Sequence, residues 1–185
     1  MRGPLLNDHG NPAGLSTDKH HLFEPPVQDP ALLVRPQTVS SLLEMYRANC
    51  LECGIKPNSG LLKLLPKEAG KMVEEINLDL NYIGIKGIQP LLHILKMNKG
   101  LKYLNLKDNN LENNEVKSLC TLLSGDAGSQ LRVLDLSNNP VSLGGGNALL
   151  DLALQQKSLE SIILKGTLIQ AKVIDKIQDI LRQRQ

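Results

Sequence analysis

The side chains whose type and spacing suit chemistry are few, and the clearest are two thiols. Cys50 and Cys53 form a C-x-x-C motif, a spacing that serves zinc binding and thiol–disulfide exchange. A zinc site needs a second pair of ligands at comparable spacing, and none follows, since Cys120 stands alone. The pattern therefore favours reduced thiols near the end of a helix and predicts no bound metal.

Carboxylates, histidine and glycines elsewhere in the sequence do not combine into a catalytic motif. Glu74 and Glu75 are adjacent on a predicted strand, where successive side chains point to opposite faces, so they cannot act on one substrate. His93 falls on a predicted helix and is expected to face solvent. The run 144–146 is Gly-rich but lacks the lysine of a phosphate-binding loop. We therefore expect no enzyme activity, no cofactor and no small-molecule substrate.

Charge and composition argue against nucleic acid and membranes as partners. The chain has 21 Lys and Arg against 19 Asp and Glu, a net charge of +2, and the basic residues are dispersed. A nucleic-acid surface needs a basic stripe or exposed rings, whereas only 2% of this chain is aromatic. The sequence contains no run of about 18 apolar residues, no secretory signal and no N-x-S/T acceptor. We expect an intracellular protein of the cytoplasm or cytoskeleton.

Leucine, which supplies 37 of the 185 residues, recurs in a repeated pattern. The pattern is apolar-x-x-apolar-x-Leu-x-x-Asn or Thr-x-apolar, and its four copies start at residues 73, 101, 131 and 159, at spacings of 28, 30 and 28. This is the signature of a leucine-rich repeat. Alternation in the first half of each unit predicts a strand, and an apolar stripe in the second half predicts a helix. The expected fold class is α/β, a short solenoid with parallel strands inside and helices outside.

The ninth position of each unit is expected to hold the bend that follows the strand. Asn81, Asn109 and Asn139 occupy it, and an amide there can donate to and accept from backbone groups inside the bend. Stacked units would then form a structural asparagine ladder. Thr167 interrupts the ladder in the last unit.

The fifteenth position marks the start of each helix, close to its neighbour. Gly87 and Gly145 occupy it in units one and three, but unit two has Glu115 there. The larger side chain is expected to loosen the contact between the helix of unit two and its neighbour.

Residues 1–36 form a separate, Pro-rich region that contains six of the ten prolines. Proline fixes φ and removes a hydrogen-bond donor, so an extended tail is expected. Two apolar islands interrupt it and could pack on the chain's own domain or bind a partner; the candidate residues are Leu22, Phe23, Leu32, Leu33 and Val34.

Residues 37–70 are expected to form a helical N-terminal cap on the repeats. A helix over 38–52 with Gln37 or Thr38 as its cap would bury one face that includes Cys53, and Gly54 would end it. A second helix over 60–65 would begin after Ser59. The repeats occupy 71–185, with a closing helix over 171–184, because each unit buries its apolar face only against neighbours.

Strand residues between the buried leucines are expected to face the concave side and to bind a partner. Tyr103, Val133 and Ile163 are apolar where polar residues are usual, so they are candidate anchors. The strand 159–164 is an edge at which the stack ends or another chain adds on. The candidate concave residues are Glu75, Asp79, Tyr103, Lys107, Val133, Asp135, Ile163 and Lys165.

The period of 28–30 with a full helix resembles ribonuclease-inhibitor-type leucine-rich-repeat proteins over residues 73–185. The stretch with Tyr46, Cys50, Gly54 and Pro57 resembles the segment before the repeats in leucine-rich-repeat proteins of cilia and flagella. That resemblance implies a structural or adaptor subunit of a multi-protein assembly, an axoneme. The same repeat type occurs in Ran GTPase-activating proteins and in the actin-capping domain of tropomodulins, which leaves GTPase regulation and actin binding as alternatives.

Overall fold

Short strands alternate with helices through the part of the chain that the structure, a computed structural model, describes. That part is residues 40–184. The predicted tail residues Leu22, Phe23, Leu32, Leu33 and Val34 lie outside the described residues. The elements are α1 Leu42–Glu52, α2 Ser59–Leu64, β1 Glu75–Asn77, α3 Gly84–Met97, β2 Tyr103–Asn105, α4 Asn113–Leu123, a 3₁₀ turn Asp126–Gly128, β3 Val133–Asp135, α5 Leu143–Gln155, β4 Ser161–Ile163 and α6 Ala171–Arg182.

The four strands form one parallel sheet in the order β1-β2-β3-β4. Leu104 pairs with Ile76 on one side and with Leu134 on the other, and Leu134 pairs with Ile162. Each strand therefore aligns with the equivalent position of the next repeat, and the sequence period sets the register. The mixed α/β arrangement with a parallel sheet agrees with the predicted repeat fold.

The core lies between this sheet and the helices. The central residue of every strand is buried between two residues that are exposed or half-buried. A leucine two positions later is also buried in each repeat, and a fully buried leucine stabilises the fold by about 1.5–3 kcal/mol relative to exposure. These leucines are Leu78, Leu106, Leu136 and Leu164. No helix among residues 40–184 is both long and apolar enough to cross a bilayer.

The first helix starts at a different cap from the predicted one. Ser41, and neither Gln37 nor Thr38, is the N-cap of α1. Its Oγ accepts from the Glu44 N–H at 3.2 Å, and the Glu44 carboxylate accepts from the Ser41 N–H at 3.0 Å. This reciprocal capping box satisfies two backbone donors, so it outweighs a cap without a glutamate three residues on.

Two further details of the N-terminal helices differ from the prediction. The N-cap of α2 is Asn58, whose Oδ1 accepts from the Gly60 and Leu61 N–H groups at 2.8 and 3.2 Å, so Ser59 is the first helical residue. Cys53 is exposed and off the buried face, because α1 ends at Glu52 and Gly54 turns the chain with a φ of 64°.

Candidate protein-binding site

The strand residues that face away from the core lie in two rows across the sheet. Register places Tyr103 directly beside Val133, and it places Asp135 directly beside Ile163. Tyr103 is 45% exposed, Ile163 is also exposed, and Val133 and Asp135 are half-buried. Neighbouring strands lie about 4.8 Å apart, so the apolar side chains Tyr103 and Val133 can offer one continuous contact.

The next row beyond the strand ends is charged. The Lys107 Nζ lies 3.2 Å from Asp79 of the preceding repeat and 3.4 Å from Asp108. Hydrogen bonds to Asp79 and then to Asp108 raise the pKa of Lys107. The predicted partner-binding residues Asp79 and Lys107 therefore join two repeats, whereas Lys165 is exposed and has no ion pair among the described residues.

The asparagine ladder joins repeats at two of its three predicted positions. Asn109 donates to the Leu78 carbonyl at 2.7 Å, and its Oδ1 accepts from the Ile83 N–H at 2.9 Å. Asn139 makes the equivalent contacts to the repeat before it, and both side chains are buried. Asn81 instead donates to the Asp79 carbonyl within its own bend, because β1 is the first strand of the sheet.

Two exposed apolar residues that sequence reasoning missed follow β1. Leu80 and Tyr82 have left-handed backbones, with φ of 55° and 51°, and they are 58% and 80% exposed. Ile85 nearby in the sequence is exposed as well. The first repeat therefore presents apolar side chains from a strained segment.

The positions equivalent to Leu80 explain why this segment is unusual. Asp108, Asn138 and Gly166 occupy them, all with positive φ, so the repeat requires a left-handed residue here. Aspartate, asparagine and glycine adopt that conformation readily, whereas leucine and tyrosine incur about 1–2 kcal/mol of strain. Because the side chains of Leu80 and Tyr82 are exposed, the burial of apolar surface offsets little of this strain. A comparison of this one position across the repeats was the signal available in the sequence.

Comparison with solved structures finds a protein with a similar fold. The chain is similar to the structure described as leiomodin-1 actin-binding site 2, with a TM-score of 0.53 and 16% identity over 77% of this chain and 71% of that chain. The fold is leucine-rich-repeat-like. No protein-family model and no curated protein matches the sequence. At this identity the likeness concerns the fold alone.

Within this leucine-rich-repeat-like fold the three cysteines are free thiols in different environments. Cys50 and Cys120 are buried and Cys53 is exposed. Burial, with a smaller effect of Asp151, raises the pKa of Cys120 from 9.0 to about 12, so the thiol stays protonated and unreactive at neutral pH. Among residues 40–184, no group of three or more His, Cys, Asp or Glu side chains could hold a metal ion.

The last strand of the sheet is partly covered by the helix that follows. Gln178 of α6 donates from Nε2 to the Ile162 carbonyl at 2.9 Å. This carbonyl lies at the centre of the edge strand, where an added strand would otherwise form its hydrogen bonds. The edge expected either to end the stack or to accept another chain is therefore obstructed at Ile162.

Proposed function

We propose that the chain is a non-catalytic protein-interaction module that acts as a structural or adaptor subunit of a larger assembly. The observation that carries the proposal is the segment after β1, where Leu80 and Tyr82 are strained and exposed. Strain at exposed apolar residues lowers the stability of the free domain, and a partner that covers the side chains would offset that cost.

The strand face supports the same proposal. Tyr103 lies beside Val133, and tyrosine is among the residues that contribute most to binding energy in protein interfaces. Glu75 lies beside Tyr103 in register, and Asp135 lies two residues beyond Val133 on the same face of its strand. An apolar centre with a polar rim is the usual composition of such an interface.

The axoneme is the assembly that we propose, on the resemblance of the segment before the repeats. In the structure that segment has a folding role. Tyr46 is buried and its hydroxyl accepts from the Asn58 N–H at 2.9 Å, and Gly54 has a positive φ of 64°. These contacts give the matched residues a folding role, and the proposal of a cilium or flagellum rests on the resemblance of the residue pattern itself.

Actin binding is the second candidate, favoured by the likeness to a structure described as an actin-binding site. A leucine-rich-repeat-like domain with an exposed apolar loop is compatible with a filament surface as well as with an axonemal subunit. The two candidates differ in the partner and share the surface.

The test combines recovery of partners with matched surface variants. The full chain, immobilised, is incubated with extract of ciliated cells and, separately, with purified actin filaments. The double variant Leu80→Asn, Tyr82→Asn is expected to reduce recovery of axonemal subunits by about tenfold or more, since it removes two anchors. Leu154→Asn is the control, because Leu154 is a comparably exposed apolar residue on α5.

The outcomes separate the candidates. Enrichment of dynein or tubulin on the unchanged chain supports the axoneme, and retention of actin alone supports the second candidate. Equal recovery by the double variant and the control variant would contradict the proposed surface. A chain that runs as an unattached monomer in the extract would contradict the assembly role.

A further inference from the structure

A groove of about 800 Å³ lies between α3 and α4 on the helical side of the domain. Its floor is apolar and consists of Leu92, Met97, Leu122 and Ala127. The 3₁₀ turn Asp126–Gly128 borders it after the end of α4.

The helix that follows packs more closely, and one position differs between the two repeats. Between α4 and α5, Gly145 packs against Val116 and Asn113, and its N–H donates to Asn113 Oδ1 at 2.8 Å. Only a cavity of about 330 Å³ remains between these two helices. In α4 the equivalent position holds Glu115, whose carboxylate turns back to accept from the Glu112 N–H at 3.0 Å.

Repeat two is also the longest, and it carries the 3₁₀ turn between α4 and β3. Gln156 fixes this turn by donating to the Leu123 and Gly125 carbonyls at 2.6 and 2.9 Å. α3 and α4 pack less closely than α4 and α5, which agrees with the expectation from Glu115, although Glu115 does not itself line the groove.

The rim of the groove carries basic side chains on α3 and just beyond its end, whereas α4 contributes neutral side chains and the 3₁₀ turn contributes Asp126. His93, Lys96 and Lys99 line the first side. Lys99 lies 3.8 Å from Asp126, while Lys96 has no ion pair among residues 40–184. On the other side, the Ser118 and Thr121 hydroxyls donate to carbonyls of their own helix, so they offer little to a ligand.

We propose that this groove binds an amphipathic helix of a partner protein, one whose apolar stripe is bordered by Asp or Glu. An apolar floor between two helices accepts side chains spaced at i, i+3 or i+4 and i+7. Lys96, which forms no ion pair with residues 40–184, favours carboxylates beside that stripe and disfavours lysine or arginine there. This inference rests on the proposed function in one respect, that the chain is an interaction module. The groove shares no residue with the Leu80–Tyr82 segment.

The probe is a random 16-residue peptide library displayed on phage and selected against the folded full chain. We expect enriched peptides to carry an apolar helical stripe with Asp or Glu beside it. Their binding, measured by fluorescence anisotropy with the synthetic peptides, is expected to weaken about tenfold in Lys96→Glu and in Met97→Glu. Both positions are exposed, so these variants are expected to fold.

Lys157→Glu is the matched charge reversal, at an exposed position outside the groove, and it is expected to leave the affinity unchanged. Binding is also expected to weaken in high salt, because exposed ion pairs are screened. The proposal would be overturned if the selected peptides were basic or if no peptide were selected. It would also be overturned if Lys96→Glu and Lys157→Glu bound the peptides with equal affinity. The double variant Leu80→Asn, Tyr82→Asn should still bind the peptides, so failure of the first surface is distinguishable from failure of the groove.

Discussion

Asn139 is hydrogen-bonded to Leu106 across two repeats: its side-chain Nδ2 donates to the Leu106 carbonyl at 2.9 Å. The same amide accepts, through Oδ1, from the Leu111 N–H at 2.9 Å and from the Asn109 N–H at 3.2 Å. One buried side chain therefore satisfies backbone groups of the preceding repeat as well as of its own bend. Asn139 therefore contributes buried hydrogen bonds to the stacking of repeats two and three, in addition to the pairing of their strands.

Replacement of Asn139 by alanine is expected to destabilise the domain by about 3 kcal/mol. The substitution leaves several buried backbone donors and acceptors without partners, each worth about 1–3 kcal/mol. Asn81→Ala is the control, since Asn81 is half-buried and bonds within its own bend, and about 1 kcal/mol is expected. Urea unfolding followed by circular dichroism measures the free energy of unfolding of both variants. Equal losses would contradict the proposed role of Asn139 in joining the repeats.

Leu80→Asn is expected to stabilise the domain by about 0.5–1 kcal/mol, because asparagine tolerates the left-handed backbone that leucine occupies under strain. Little burial is lost, since the side chain is 58% exposed. Leu154→Asn, on a helix with the side chain 52% exposed, is expected to destabilise by about 0.5 kcal/mol. Urea unfolding measures the free energy of unfolding of both variants. If that free energy changed in the same direction in both, Leu80 would not be strained.

The repeat arrangement was predictable from sequence because its cause is periodic. A strand residue buried at one position is buried at the same position of each following repeat, so Ile76, Leu104, Leu134 and Ile162 align without further information. The helix caps were less predictable, since several polar residues near each start suit the role. Only the reciprocal bonds of Ser41 and Glu44 decide between them.

The candidate binding surfaces also differ in how far they could be predicted from the sequence. Tyr103 and Val133 were predictable, because alternation along a strand dictates which side chains leave the core. Leu80 was missed, because its conformation depends on the bend and not on hydrophobic pattern. The groove between α3 and α4 could not be predicted, because it depends on how two helices pack; Glu115 indicated only that this packing would be looser.

Cys120 is expected to make stability fall at alkaline pH. Burial raises the pKa of the folded thiol to about 12, above the unfolded value of 9.0, so the folded state holds this proton more tightly. The resulting stability is fully present below pH 9 and is lost as the pH rises towards 12, by about 1.4 kcal/mol for each pH unit.

Urea unfolding of the unchanged chain and of Cys120→Ala at a series of pH values tests this. Alanine costs a constant amount for the lost side chain, so the advantage of cysteine is expected to shrink above pH 9. A difference that stays constant from neutral pH to pH 11 would show that the buried thiol does not govern this dependence.

Gln178→Ala is expected to destabilise the domain by about 1 kcal/mol and to promote self-association. The variant removes the donor to the Ile162 carbonyl, which leaves an acceptor at the centre of the edge strand open to another chain. Ile163, exposed on the same strand, adds apolar contact. Sedimentation velocity is expected to detect larger species at high protein concentration. Lys176→Ala, an exposed change on the same helix, serves as the control, and identical sedimentation of the two variants would mean that Gln178 does not protect the edge.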